Sequence, residues 1–180
     1  SIMALGLSNA MIPLFAATEN PDIELSELKR KTNRLLLILI PISVVFLVFS
    51  DWLFVHVFNQ EFQQSAVVFD VYLLLVLPRL LLPHTIIVGF KRNNLLIWVS
   101  IMEINTNVVL SIWWGMLWGI FGIAMATVFA FAVEKCVMIY LTKKRLHVAA
   151  SKYIPFKTFT ILSVILISVF IIKYTIFVSH

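Results

Sequence analysis

Long apolar stretches separated by short polar connections run through the whole chain, and their lengths predict helices that cross a membrane. A spanning helix needs about 20 mainly apolar residues. Five stretches reach this length: Leu35 to Phe58, Ser65 to Val88, Leu95 to Trp114, Leu117 to Leu141, and Thr158 to Val178. Strands of a membrane β-barrel would be about 10 residues long with alternating polarity, and the chain has no such pattern. The pattern therefore predicts an all-α integral membrane protein, a polytopic helical bundle.

The segment before the first complete span is apolar at its start and charged at its end. Ser1 to Ala17 is too short to span fully and has no charged region that would indicate a signal peptide. We expect it to be the end of a sixth helix, cut by a fragment boundary. A break follows at Asn20 and Pro21, and then Asp22 to Arg34 predicts an amphipathic cytoplasmic helix. Its acidic residues lie towards the N-terminal end and its basic residues towards the C-terminal end, which suits the helix dipole.

Basic residues alternate along the connections between the predicted spans. Connections 18–34, 89–94 and 142–157 contain Lys or Arg, whereas 59–64 and the tight turn around Gly115 and Met116 contain none. Cytoplasmic loops carry an excess of Lys and Arg. We therefore expect the basic connections in the cytoplasm, the protein in the inner membrane, and the C-terminal His180 outside.

Composition supports the membrane assignment and removes a competing interpretation. The chain is 61% hydrophobic and 13% charged, whereas a soluble domain has roughly 25% charged residues. The net charge of +5 could suggest a nucleic-acid partner, but the loop pattern accounts for it, and we expect none. Trp113, Trp114 and Trp118 flank the predicted outer turn and indicate an interfacial aromatic belt, although they could also stack on a sugar.

Charged residues inside the predicted spans are the best clue to a functional site. Each costs several kcal/mol unless it is paired or hydrated. At 1.5 Å per residue, Arg79 lies about 13 Å from the cytoplasmic end of its helix, and Glu103 about 12 Å from the end of the next. Glu134 and Lys135 lie about 10 Å deep by the same rule. These four charges should therefore occupy one layer of the inner leaflet.

Glu103 belongs to a polar stripe that should face the bundle interior or a water-filled cavity. Ser100, Glu103, Asn107 and Ser111 are three or four residues apart and share one helix face. One interpretation is that Arg79 binds the phosphate of a substrate, with its planar fork donating two hydrogen bonds, while the Glu103 stripe lines the path. The other is that Arg79 and Glu103 form a structural ion pair.

Two further groups of charges have a functional and a structural interpretation each. Asp51, His56 and Asp70 lie towards the outer side, where the carboxylates are candidates for cation or proton coupling or are simply hydrated at the interface. Glu134 and Lys135 are neighbours about 100° apart and indicate a snorkelling pair that faces different directions.

Prolines and small residues indicate where the helices bend and pack. Pro41 predicts ordinary curvature, whereas Pro78 and Pro83 on either side of Arg79 predict a mobile or broken helix. The small residues predict close helix packing; they are Gly115, Gly119, Gly122, Ala124 and Ala126.

The residues that could support catalysis or bind a metal have no suitable arrangement. The chain has one cysteine, Cys136, and four histidines without metal-ligand spacing. No phosphate-binding or dinucleotide fingerprint is present. We therefore predict no enzyme activity, no cofactor and no metal site.

Several motifs resemble the multidrug/oligosaccharidyl-lipid/polysaccharide (MOP) exporter superfamily, and within it the O-antigen and exopolysaccharide flippases. An apolar helix ending "NAMIPLFAATEN" precedes an acidic-then-basic segment, and "RLLLILIPISVVFLVFSDWLFVHVFNQEFQQSA" is similar to the family's long helix with a central proline. "NTNVVLSI" followed by "GMLWGIFGIAMAT" resembles its Asn-bearing helix and Gly/Ala/Thr turn. Asn59 stands where many members have Gly.

The resemblance implies the C-terminal lobe of a MATE-like flippase. Residues 1–145 would form a partial lobe, a truncated helix plus four transmembrane helices, and residues 146–180 a linker and an accessory transmembrane helix. Its partners would be lipid-linked oligosaccharide, membrane lipid and a missing N-terminal lobe. The implied activity is flipping of undecaprenyl-diphosphate-linked oligosaccharide by alternating access.

The alternatives are a MATE-type multidrug/cation antiporter, a membrane-embedded polysaccharide enzyme and a scaffold. An antiporter would favour acidic residues in the cavity over Arg79. An enzyme would normally bring a long outer or catalytic loop, and the outer connections are short.

Overall fold

The computed structural model describes residues 2–17, 21–57 and 63–178, excluding the side chains of residues 2, 63, 64 and 176–178. All regular structure in these ranges is helical. The helices are α1 (Ile2–Ala17), α2 (Asp22–Val57), α3 (Gln63–Leu73), α4 (Val76–Leu80), α5 (Pro83–Gly89), α6 (Asn93–Leu146), α7 (Ala150–Tyr153) and α8 (Phe156–Val178). The predicted break at Asn20, most of the 59–64 connection, including Asn59, and the C-terminal His180 lie outside the described residues.

Helix α2 joins two elements that the sequence analysis treated separately. It runs for 36 residues from Asp22 to Val57 without interruption, so the predicted amphipathic helix does not end at Arg34. No glycine or proline occurs between Asp22 and Pro41 to break it. At 1.5 Å per residue it is about 54 Å long, which exceeds the roughly 30 Å hydrocarbon layer. The charged end therefore extends beyond the apolar part as a continuation of the same rod.

The predicted second span is broken, as its prolines suggested. Helix α3 ends at Leu73, one residue before Leu74, whose carbonyl would clash with the Pro78 ring in a continuous helix. A second break falls at Leu81 and Leu82, because a residue that precedes proline disfavours helical backbone and Pro83 begins α5. Residues 65–80 and α5 are bent by 40° with respect to each other.

Helix α6 contains the reversal that the sequence analysis placed at Gly115 and Met116. The backbone leaves helical geometry at Gly119, with φ 60° and ψ −140°, a conformation that favours glycine. An added Cβ on Gly122 would meet the Trp114 carbonyl, so the two arms are in backbone contact beside the turn. The prediction of a tight turn is right, but its position was wrong, because only Gly119 has a positive φ among the described glycines.

The helix lengths are those of a multi-pass membrane protein. Helices α2, α6 and α8 are long and apolar enough to cross a membrane, and the bent α3–α5 region is a fourth candidate. A straight helix of 54 residues would be about 80 Å long, and the reversal at Gly119 instead divides α6 into arms 93–118 and 120–146. These regions coincide with the five predicted stretches.

The basic segments meet at one end of the bundle, which we call the basic end: the start of α2, the end of α6, α7 and the start of α8. Lys152 on α7 forms an ion pair with Asp22 on α2 at 2.6 Å. Lys29 donates a hydrogen bond from Nζ to the Ser151 carbonyl at 2.7 Å. These contacts join segments more than 100 residues apart in the chain.

A buried hydrogen bond fixes α7 against the end of α6. The Tyr153 hydroxyl lies 2.9 Å from Thr142 Oγ1, and both side chains are buried. Burial raises the pKa of Tyr153 above its ordinary value, and the hydrogen bond to Thr142 partly opposes this shift. The connection before α8 is therefore anchored to the bundle.

Candidate functional site

A cavity of about 470 Å³ lies beside the break between α4 and α5. The break exists because of the two prolines, and it places Arg79 at the end of α4, two residues before the extended backbone. Its polar lining comes from α1, α4, α5 and α6: Ser8, Arg79, His84 and Lys135. Arg79 and Lys135, two of the four charges predicted to share one layer, line this cavity together.

Arg79 is exposed in this structure, and its guanidinium lies 5.3 Å from the centre of the Phe131 ring. A cation at this distance over an aromatic face is attracted by the ring quadrupole. No carboxylate lies within 4.0 Å of Arg79 in the part of the chain that the structure describes. The cavity therefore has a guanidinium whose charge is not neutralised by an acid.

The structural ion pair between Arg79 and Glu103 is not formed in the described chain. Glu103 instead lies within electrostatic range of Glu134 and Lys135. Farther along its stripe, Ser111 donates a hydrogen bond to Asn107 Oδ1 at 2.9 Å. Neither Glu103 nor Asn107 lines the Arg79 cavity, so the structure separates the predicted substrate residues into two places.

The neighbours Glu134 and Lys135 form an ion pair. Lys135 Nζ lies 3.0 Å from Glu134 Oε2, with side-chain exposures of 13% and 9%. The expectation that they face different directions is therefore wrong: their flexible ends meet although their Cα–Cβ bonds diverge. The carboxylate of Glu134 offsets the positive charge of Lys135. The net positive charge of the cavity therefore comes from Arg79.

A second charged cluster lies near the other end, where α8 meets α2 and α3. Lys173 Nζ is 2.6 Å from Asp70 Oδ2 and 3.1 Å from Asp51 Oδ2. It also donates to the Ser50 hydroxyl and, at 2.9 Å, to the Leu47 carbonyl. The two predicted coupling residues, Asp51 and Asp70, thus share one lysine, and the cluster has a net charge of −1.

Asp70 is the most enclosed member of this cluster. It is 5% exposed, and its Oδ1 is buried without a hydrogen-bond partner. A space of about 20 Å³ lies beside Asp70, Asp51 and Lys173, enough for about one water. The second carboxylate oxygen could therefore accept a proton, a water or a small cation. His56 is not part of this group, since its Nδ1 contacts its own helix at Trp52 O.

Lys173 is the residue that the sequence analysis missed. It stands inside the last apolar stretch, where a lone ammonium needs a partner. Its distance from the C-terminal end of α8 is similar to the distances of Asp51 from the end of α2 and of Asp70 from the start of α3, and this match was available from the sequence.

The described residues contain no group of three or more His, Cys, Asp or Glu side chains that could hold a metal ion. Two tryptophans beside the Gly119 turn are largely exposed, with Trp113 at 60% and Trp118 at 56%, as an interfacial belt requires.

No protein-family model, curated protein or solved structure matches this chain.

Proposed function

We propose that this chain is part of a membrane transporter that moves lipid-linked oligosaccharide across the inner membrane by alternating access, as the C-terminal portion of a MATE-like flippase. The observation that carries the proposal is the exposed Arg79 in the cavity at the α4–α5 break. A cation at membrane depth without an acidic partner requires an anion or water. The diphosphate of an undecaprenyl-linked substrate would supply that anion.

The broken helix supports movement at the same place. Pro78 and Pro83 interrupt the helix on either side of Arg79 and leave backbone groups without helical partners. Such breaks in membrane proteins occur where the backbone faces protein or a cavity. Transporters use discontinuous helices of this kind to form substrate sites near the membrane midplane. In this proposal the basic end faces the cytoplasm, and the missing lobe closes the other side of the cavity.

The proposal is tested in the full-length protein by complementing a flippase-deficient strain with Arg79→Ala, Arg79→Lys and the control Arg145→Ala. Arg145 is exposed at the basic end, so the control removes the same side chain outside the cavity.

A hydrogen bond to a charged group contributes about 1.5–3 kcal/mol, which corresponds to roughly 10- to 100-fold in binding. We expect Arg79→Ala to lower surface polysaccharide by about this factor at normal membrane levels. Arg79→Lys should restore part of it, because lysine keeps the charge but loses the planar fork.

Equal export by Arg79→Ala and Arg145→Ala would contradict the substrate role of Arg79. Glu103→Gln provides a separate test of the polar stripe on α6. If Glu103 lines the path, Glu103→Gln lowers export without lowering the amount of protein in the membrane; unchanged export would remove Glu103 from the site.

A cation antiporter is the second candidate, and the cluster of Asp51, Asp70 and Lys173 favours it. Two carboxylates with one lysine retain a negative charge, which suits a coupling cation. Efflux of a cationic dye in a strain that lacks its own efflux pumps distinguishes the two functions. Dye efflux that depends on Asp70 but not on Arg79 would support the antiporter.

A further inference from the structure

A separate pocket of about 570 Å³ lies at the basic end, between the charged part of α2, α7 and the start of α8. Its polar and aromatic lining residues include Lys29, Arg30, Asn33, Ser151, Phe156 and Lys157. It shares no lining residue with the Arg79 cavity. An inference about it is therefore independent of the proposed transport function.

Two of the acids close in sequence to the pocket are already paired with other lysines. Asp22 forms its ion pair with Lys152 at 2.6 Å, and Glu27 forms one with Lys31 at 2.8 Å. Neither of these acids, nor Glu24, lines the pocket.

The three cations of the pocket lack such partners. Lys29, Arg30 and Lys157 have no carboxylate within 4.0 Å in the described ranges of the chain. The lining therefore has a formal charge of +3 from side chains, and like charges brought together favour an anion between them.

One cation is fixed in place, and one buried acceptor has no hydrogen-bond partner. The hydrogen bond from Lys29 Nζ to the Ser151 carbonyl, 2.7 Å long, holds the ammonium at the wall and leaves two N–H groups for a ligand. Asn33 lines the same pocket, and its Oδ1 is buried without a hydrogen-bond partner. A buried polar atom without a partner costs about 1–3 kcal/mol. A ligand with both an anionic group and a hydroxyl donor would satisfy the two features together.

The position of the pocket indicates a lipid as the source of the anion. It lies where α8 begins, and residues 156–175 are long and apolar enough to cross the membrane. Phe156 is 49% exposed at the same point, as expected of an aromatic residue at the interface. Lys157 follows it in the chain, and basic residues beside the start of a span attract anionic lipid at about 1 kcal/mol each.

We propose that this pocket binds the head group of an anionic phospholipid that carries free hydroxyls, with phosphatidylglycerol as the simplest example. Lys29, Arg30 and Lys157 contact the phosphate, and the Asn33 amide turns its buried Oδ1 towards the pocket to accept a hydrogen bond from a head-group hydroxyl. The bound lipid joins the start of α2 to the start of α8.

The test uses the full-length protein reconstituted in phosphatidylcholine vesicles that contain spin-labelled phosphatidylglycerol. The motionally restricted fraction of the spectrum gives the relative affinity for the probe. The pocket variant is Lys29→Gln/Arg30→Gln/Lys157→Gln, and the matched control is Lys143→Gln/Lys144→Gln/Arg145→Gln. Both lose three positive charges at the basic end, but the control residues are exposed near the end of α6 and line no part of this pocket.

We expect the pocket variant to lose at least about tenfold more affinity than the control, since a built site adds hydrogen bonds of more than 1 kcal/mol to the surface attraction. Equal losses in the two variants would mean that charge spread over the surface attracts the lipid, and would overturn the site. Displacement of the probe by inorganic phosphate as effectively as by unlabelled phosphatidylglycerol would identify a soluble anion and overturn the lipid assignment.

Asn33→Leu tests the hydroxyl contact separately. Wild-type protein should prefer phosphatidylglycerol over phosphatidylethanol, which carries the same phosphodiester charge but no head-group hydroxyl. The variant should bind both lipids equally. An unchanged preference in Asn33→Leu would overturn the role of Asn33. Circular dichroism of each variant confirms that its helices are retained.

Discussion

Replacing Lys173 tests the buried charge cluster between α8, α2 and α3 most directly. Lys173→Met keeps the length of the side chain but removes the ammonium that contacts Asp70 at 2.6 Å and Asp51 at 3.1 Å. Removing one partner of a buried ion pair costs about 3–5 kcal/mol, because the other charge is left without compensation. Asp70, 7% exposed in its side chain, is the residue on which this cost falls.

The two acids should differ in how much they contribute. The Asp51 side chain is 41% exposed, and exposed ion pairs contribute about 1 kcal/mol or less. We therefore expect thermal denaturation in detergent, followed by tryptophan fluorescence, to rank the losses. Lys173→Met should be the most destabilising, followed by Asp70→Asn, with Asp51→Asn close to wild type.

The double variant Lys173→Met/Asp70→Asn decides whether the contact itself carries the effect. Removing both charges avoids the uncompensated carboxylate, so the double variant should be more stable than the sum of the single losses predicts, by about 0.5–3 kcal/mol. Strictly additive losses, or a Lys173→Met variant no less stable than Asp51→Asn, would refute the reasoning. Lys152→Met provides a matched control, because its ion pair with Asp22 is exposed.

Two glycine substitutions test the close backbone contacts. Gly122→Ala should destabilise the α6 hairpin, because the added Cβ meets the Trp114 carbonyl. In the control Gly6→Ala the added Cβ meets nothing within 4 Å, so this variant should be tolerated. Equal melting temperatures of the two variants in detergent would contradict the hairpin contact. Gly89→Ala should separate α1 from α5, because its Cβ meets the Phe15 side chain. A lower yield of folded protein in detergent, measured by size-exclusion chromatography and again compared with Gly6→Ala, checks this expectation.

Hydrophobic patterning predicted where the apolar helices lie, although α2 begins 13 residues before its predicted stretch, and turn chemistry predicted the breaks less well. Pro78 and Pro83 identified the broken helix because proline removes a donor wherever it stands. The reversal was placed a few residues too early because the turn region contains several glycines. Which of them adopts a positive φ depends on how the arms of α6 pack, and residue type alone does not determine this.

An expected depth for each charged residue follows from the sequence, but its partner does not. Depth follows from the rise per residue, and it placed Arg79 and Lys135 in one layer. Partners depend on the rotation of each helix about its axis, which tertiary packing sets. For that reason Arg79 and Glu103 matched in depth without forming an ion pair. Lys173 could have been matched with Asp70 by depth, but an isolated lysine in an apolar stretch gives no indication of the direction in which it points.

The contact between Lys173 and Asp70 also has a consequence for biogenesis. The two residues are 103 positions apart, so a ribosome completes α2 and α3 long before it synthesises the counter-charge on α8. During that interval Asp70 has no cation from α8 beside it, and a carboxylate facing hydrocarbon is unfavourable. We therefore expect the early helices to stay next to water or the insertion machinery until α8 arrives. Final release into lipid is thus coupled to synthesis of α8, and a nascent chain stalled before α8 would be retained there and exposed to proteolysis.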